Sequence, residues 1–143
     1  MSEKENLALL EKFWRDLYAK NFEEVGAYFT ENGRYEDVCT PDPGAAGPAN
    51  IATRLRIGLG PIEACGNEHH RTAADGDTVF TEHTERWHFH TGEVSVLEVV
   101  SVHVFEKGKI KLWRDYWDLG ALMSTAPAWW IEGLAKLGDL KLD

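Results

Sequence analysis

Residues 78–118, TVFTEHTERWHFHTGEVSVLEVVSVHVFEKGKIKLWRDYWD, contain three runs rich in β-branched and aromatic side chains: Thr78 to His90, Val94 to Phe105 and Ile110 to Asp118. Thr91-Gly92 and Lys107-Gly108 separate them, so the spacing predicts three strands joined by two hairpins. Ahead of this stretch the period is helical. Ser2 and Glu5 have capping-box spacing, and Leu7, Leu10, Phe13, Trp14, Leu17 and Tyr18 follow at helical intervals. Asn21 with Glu24 makes a second box before Val25, Tyr28 and Phe29. Asn32-Gly33 reads as a turn into a short strand, Arg34 to Val38. Residues 41–48, PDPGAAGP, read as a loop placed to rim a pocket, and a third helix is expected near Ile51 to Leu59. The tail, Ala128 to Leu142, carries Trp129, Trp130, Ile131, Leu134, Leu137 and Leu140, and reads as a last helix or an apolar flap. Helices first, then hairpin-linked strands, is the order of an α+β fold.

Composition limits what such a fold serves. At 143 residues and 43% hydrophobic, the chain reads as one domain, 1–143, large enough to bury a core without staples. A net charge of −9, spread along the whole length, repels phosphate backbones and anionic lipid, which argues against nucleic acid and membrane as partners. Cys39 and Cys65 have no metal-type spacing around them and read as free thiols. With no signal-type apolar core and no spanning segment, a cytoplasmic location is expected.

The hexapeptide Trp113-Arg114-Asp115-Tyr116-Trp117-Asp118 sets a carboxylate between two indoles on one strand face. A carboxylate walled by aromatics is a candidate base, with Trp113 and Trp117 as candidate substrate-binding walls. On the strand 78–90, Glu82, Thr84, Arg86, His88 and His90 share one face, and His83, Glu85, Trp87 and Phe89 the other. Neither face is cleanly apolar, so something polar is being lined. If Arg86 and His88 share the face of Asp115, an arginine, an imidazole and a carboxylate meet in one cavity and can move protons. A solvated salt-bridge patch on an exposed sheet gives the same pattern.

Thr84-Glu85-Arg86 followed by His88, together with Glu106-Lys107-Gly108-Lys109-Ile110 and the hexapeptide, resembles the limonene-1,2-epoxide hydrolase family. That family lies within the nuclear-transport-factor-like and ketosteroid-isomerase-like superfamily. The resemblance takes in the first helix, Ala27 to Asn32 and Tyr35-Glu36-Asp37, and spans residues near 6 to 123. It implies a cone: a strongly curved mixed sheet around a deep pocket, closed by N-terminal helices. It also implies epoxide opening in one step without a cofactor. Asp115 matches the water-activating aspartate, Tyr35 the water-holding tyrosine and Arg86 the bridging arginine. His88 stands where the family has its proton-donating aspartate, and Asp37 where it has an asparagine.

A histidine can also donate a proton, and two close carboxylates tend to share one. Glu36-Asp37 also resembles the base segment of ketosteroid isomerases, which implies proton abstraction next to a carbonyl; dehydratases and polyketide cyclases of this superfamily offer related chemistry. A non-catalytic binding module is the remaining alternative. Six Trp and six Phe leave enough aromatic surface to line a cavity for a small apolar organic substrate of terpenoid, steroid or polyketide type. No phosphate loop, dinucleotide fingerprint or pyridoxal-type lysine is visible, so side chains and water are expected to do the chemistry. His69-His70 place their rings on opposite strand faces and are not expected to hold a metal. His103 reads as a hydrogen-bonded core or interface residue, Trp129-Trp130 as a pocket closure or dimer contact, and the valine-rich strand 94–105 as a homodimer face.

Overall fold

The computed structural model describes residues 2–139; the tail residues Leu140 and Leu142 lie outside the described residues. Helix α1 (Glu3–Tyr18) opens on the expected box: the Ser2 hydroxyl accepts from the Glu5 amide at 3.1 Å, and the Glu5 carboxylate accepts from the Ser2 amide at 3.2 Å. Such a cap contributes about 1 kcal/mol. Its buried face presents Leu10, Phe13, Trp14 and Leu17 to the sheet. Helix α2 (Phe22–Ala27) lacks the second box, because Asn21 instead donates to Asp16 Oδ1 at 3.1 Å.

Strand β1 (Phe29–Asp37) is longer than its expected segment. Asn32-Gly33 is a bulge inside it rather than a turn before it, as the register against the neighbouring strand shifts between Phe29 and Arg34. A Cβ at Gly33 would lie 3.0 Å from the Ile110 carbonyl oxygen, so the bulge needs glycine. The Pro-rich loop contributes a two-residue ladder, β2 (Ala45–Ala46), before α3 (Pro48–Gly58). Strand β3 (Ala64–Asp75) is anticipated by the sequence reading only in the opposite strand faces given to His69-His70, because as a solvent-exposed edge strand it has no apolar face to alternate. Strands β4 (Thr78–His88), β5 (Val94–Glu106) and β6 (Lys109–Tyr116) follow as the three hairpin-linked runs. Gly92, Lys107 and Gly108 take positive φ in the turns. Short helices α4 (Leu119–Met123) and α5 (Ala128–Gly133) and a 3-10 segment (Leu134–Asp139) form the described part of the tail.

The strands form one curved six-stranded mixed sheet in the order β2-β1-β6-β5-β4-β3, with helices packed against it. All neighbours are antiparallel except β1 and β6, which run parallel with Tyr35 beside Trp113 and Asp37 beside Asp115. Two apolar clusters fill the inner face. One packs α1 and α3 onto Phe29, Ile110 and Trp113; the other gathers Ile62, Trp87, Leu97, Val99, Leu122 and Trp130. This is the cone expected from the resemblance. No helix among the described residues is long and apolar enough to cross a membrane.

Candidate active site

A cavity of about 500 Å³ opens between the two clusters, walled by Leu17, Leu55, Trp87, Leu97, Val99 and Trp130. Three carboxyl groups reach it from three strands: Asp37, Glu85 and Asp115. Strand alternation selects them. Asp37 and Asp115 are register partners on the parallel pair, so their side chains leave the sheet on the same side.

Asp115 is 7% exposed. Its Oδ1 lies 2.5 Å from Ser101 Oγ and accepts the Trp113 indole N–H at 2.7 Å. Burial first, then the neighbouring Asp37 and Glu85, push its pKa well above the ordinary aspartate value, against the contact of Trp113. The site therefore favours the neutral carboxylic acid over the carboxylate at Asp115. Glu85 accepts from the Trp87 indole at 3.0 Å and the Tyr18 hydroxyl at 3.1 Å, and burial raises its pKa also.

Asp37 has different company. Arg54 donates to its Oδ2 at 3.0 Å, and the Trp117 indole donates to its Oδ1 at 2.9 Å. The Tyr35 hydroxyl stands 3.4 Å from the same Oδ1. Tyr35 stacks on Trp113 at 3.8 Å between ring centroids, and burial holds its phenol proton on. Arg54 also pairs with Asp42 and lies over the Tyr35 ring at 5.3 Å. One guanidinium therefore serves Asp37 and Asp42, and among the described residues no arginine or lysine pairs with Asp115 or Glu85.

Two expected site residues are elsewhere. Arg86 and His88 lie on the opposite, outer face of β4, exposed to solvent; Arg86 faces Glu68 at 3.7 Å. The physical reason is alternation: β4 buries Val79, Thr81, His83 and Trp87, and Glu85 shares their side. Glu85 thus occupies the place expected for His88, and the cavity's arginine comes from α3. Arg54 escaped notice because it is a charged residue within a helix; its signal was its spacing from Ile51 and Leu55, which puts it on the buried stripe.

Other residues are resolved more simply. Pro41 and Asp42 rim the cavity as the loop reading expected. Trp130 and Leu134 close one end of it, while Trp129 donates to Thr91 on the surface. His103 is fully buried among Phe13, Trp14 and Trp113, and neither ring nitrogen has a hydrogen-bond partner among the described residues, unlike the bonded core histidine expected.

Residues 10–113 match the family model described as a SnoaL-like domain. The chain belongs to the SnoaL-like family. Among solved structures, this SnoaL-like chain is similar to an LEH-like epoxide hydrolase from M. tuberculosis, at 28% identity, 95% coverage of this chain, 96% of that one and a TM-score of 0.71. An NTF2-like protein from Burkholderia pseudomallei K96243 superposes at a TM-score of 0.77, with 18% identity and coverage of 90% and 100%. The epoxide hydrolase/cyclase-like enzyme SalBIII, of pyran ring formation in the polyether salinomycin, is 17% identical over 84% and 95% of the two chains, with a TM-score of 0.71. The comparison with curated proteins finds no match. The match to the SnoaL-like model ends at Trp113, so Asp115 and Trp117 stand just beyond it.

Proposed function

We propose that this SnoaL-like protein opens an epoxide on a small apolar molecule by acid–base catalysis, with no cofactor. The observation that carries the reading is the placing of a buried carboxyl whose neutral form is favoured, Asp115, beside an ion-paired one, Asp37, in a single apolar cavity. Breaking a carbon–oxygen bond needs a proton on the departing oxygen, which Asp115 supplies. The incoming water must lose one, which Asp37 accepts while Tyr35 and Trp117 hold its position. Asp115 therefore takes the proton-donating role in place of the water-activating one implied by the resemblance, and Asp37, which stands where the family has an asparagine, takes the base's, because burial and two neighbouring carboxyls disfavour an ionised Asp115. The similarity to the M. tuberculosis epoxide hydrolase supports the same reaction class.

Turnover of an apolar epoxide in ¹⁸O-water is expected to place one label in the diol, and Asp37→Asn to slow it by about a hundredfold or more. Retained diol formation in Asp37→Asn would sink the assignment of the base. A second reading has its own support in the likeness to SalBIII: the nucleophile is a hydroxyl of the substrate itself, and the product a cyclic ether. A cyclised product without solvent label would select it.

We further propose that two copies pair through the outer sheet face. Phe80, Val94, Val96, Val100 and Tyr116 are each 38–47% exposed there and adjoin through the β4–β5–β6 ladder. Arg86 and His88 flank this patch as register partners of Val96 and Val94. Sedimentation is expected to give a dimer for the native chain and a monomer for Val96→Asp; a native monomer would refute the pairing.

A further inference from the structure

Behind Asp115 a chain of polar side chains crosses the sheet away from the cavity. Asp115 Oδ1 lies 2.5 Å from Ser101 Oγ, Ser101 Oγ 2.9 Å from His83 Nε2, and His83 Nδ1 2.9 Å from Asn67 Oδ1. Ser101 and His83 are 0% and 1% exposed, so no bulk water serves them. The chain spans β6, β5, β4 and the edge strand β3.

With the Asn67 amide oxygen turned to His83, its proton count does not close if Asp115 is ionised. Three contacts need three protons, but a neutral imidazole brings one and a hydroxyl one, while carboxylate and amide oxygens only accept. The direction of the chain is set at its far end. His83 Nδ1 faces two acceptors, Asn67 Oδ1 at 2.9 Å and Glu85 Oε2 at 3.8 Å, so this nitrogen carries the imidazole proton. Nε2 is then an acceptor and takes the Ser101 hydroxyl proton. Ser101 is left with only lone pairs to offer Asp115.

We propose that Asn67, His83 and Ser101 are positioning residues that hold Asp115 in its neutral form, because with the Asn67 amide oxygen facing His83 Nδ1 the chain they make is completed by a proton on Asp115. The proposal rests on reading Asp115 as the proton donor, the same proton being held toward Ser101 in the resting site and passed to the departing oxygen in the reaction. A hydroxyl free to donate would favour the carboxylate; here the chain turns it round. An imidazolium at His83 would also complete the count, but burial and the neighbouring His69 and His70 lower its pKa to about 3. The other groups around the chain act in the same sense. Asp37 on β1 and Glu85 on β4 oppose a charge on Asp115, the Trp14 ring from α1 and His69 on β3 cover His83, His103 lies on β5, and Arg54 from α3 is taken up by Asp37 and Asp42.

The test uses the intact protein. In ¹⁵N spectra at pH 7, His83 is expected as the Nδ1–H tautomer. Asn67→Leu, on the partly exposed edge strand, removes the main acceptor; the ring can then carry its proton on Nε2, and Ser101 turns to donate to Asp115. The Asp115 titration, followed through its ¹³Cγ resonance, is then expected about one pH unit lower, a tenfold change in the ionisation ratio. Asn67→Asp keeps an acceptor at Nδ1 and is expected to spare Asp115 that downward shift. An Nε2–H tautomer in the native protein, or an Asp115 titration unmoved by Asn67→Leu, would overturn the proposal. Neither readout needs substrate, so full activity in Asp115→Asn would refute the donor role separately, while the spectra still decide the chain.

Discussion

Asp115→Asn is expected to lower kcat by about 10²- to 10⁴-fold and at the same time to make the protein more stable at neutral and alkaline pH. The amide matches the carboxyl in size and still accepts the Trp113 N–H, so the cavity keeps its shape, but an amide cannot give up a proton to a departing oxygen. The stability gain follows from linkage. The folded Asp115 has a pKa raised above its unfolded value near 3.8, so above that value the native state holds a proton the unfolded chain has released. Over that window the wild type loses stability as the pH rises through the folded pKa. The asparagine variant has no such loss, and its advantage grows with pH until the native carboxyl itself ionises. Urea unfolding of both proteins at pH 4 and pH 8, with turnover measured alongside, checks both halves. An equal stability difference at the two pH values would show that Asp115 is not held neutral, and unchanged turnover would remove it from the chemistry.

Arg54→Leu is expected to cost about 3–5 kcal/mol of stability, which for a chain of this length is a fall of roughly 10–15 °C in Tm. Arg54 is 5% exposed and is the cation shared by Asp37 and Asp42, whose side chains are 10% and 26% exposed. Removing it leaves carboxylates in a site that already holds Asp115 and Glu85, and the Asp42 contact anchors the rim loop. The double variant Arg54→Leu with Asp37→Asn is expected to recover part of the loss, since one unpaired charge goes with the arginine. A loss below 1 kcal/mol in calorimetry, or no recovery in the double variant, would mean that the pair does not act as a unit.

The strand runs of residues 78–118, the first helix with its cap and the two hairpin turns were legible because each depends on local chemistry: alternation, a capping box, glycine at positive φ. Strand β3 was legible only in the opposite faces given to His69-His70, as an exposed edge has no hydrophobic period to betray it. In the cavity, Tyr35, Asp37, Trp113, Asp115 and Trp117 were identified from the sequence as site residues, and the structure brings them together. Arg86 and His88 were placed there first on the supposition that they share the face of Asp115 and then on a resemblance, although the alternation already put Glu85 with Trp87 on the other side of that strand. Which of two mixed faces turns inward is decided by what packs against it, here Trp14, Leu17 and Trp130, and that is a tertiary fact. The proton chain was invisible for the same reason. Asn67, His83, Ser101 and Asp115 come from four different strands, and only the register unites them.

That Asp37 and Asp115 are neighbours across the parallel β1–β6 ladder has a practical consequence for redesign. The spacing of the two backbones is fixed at about 4.8 Å by main-chain hydrogen bonding, not by the identity of any side chain. The walls facing them at Trp130 and Leu134 come from the tail, which carries no member of the pair. One wall of the chamber and the aspartate pair therefore reside in separable parts of the chain: libraries confined to residues 119–137 can reshape that wall while Asp37 and Asp115 keep their distance.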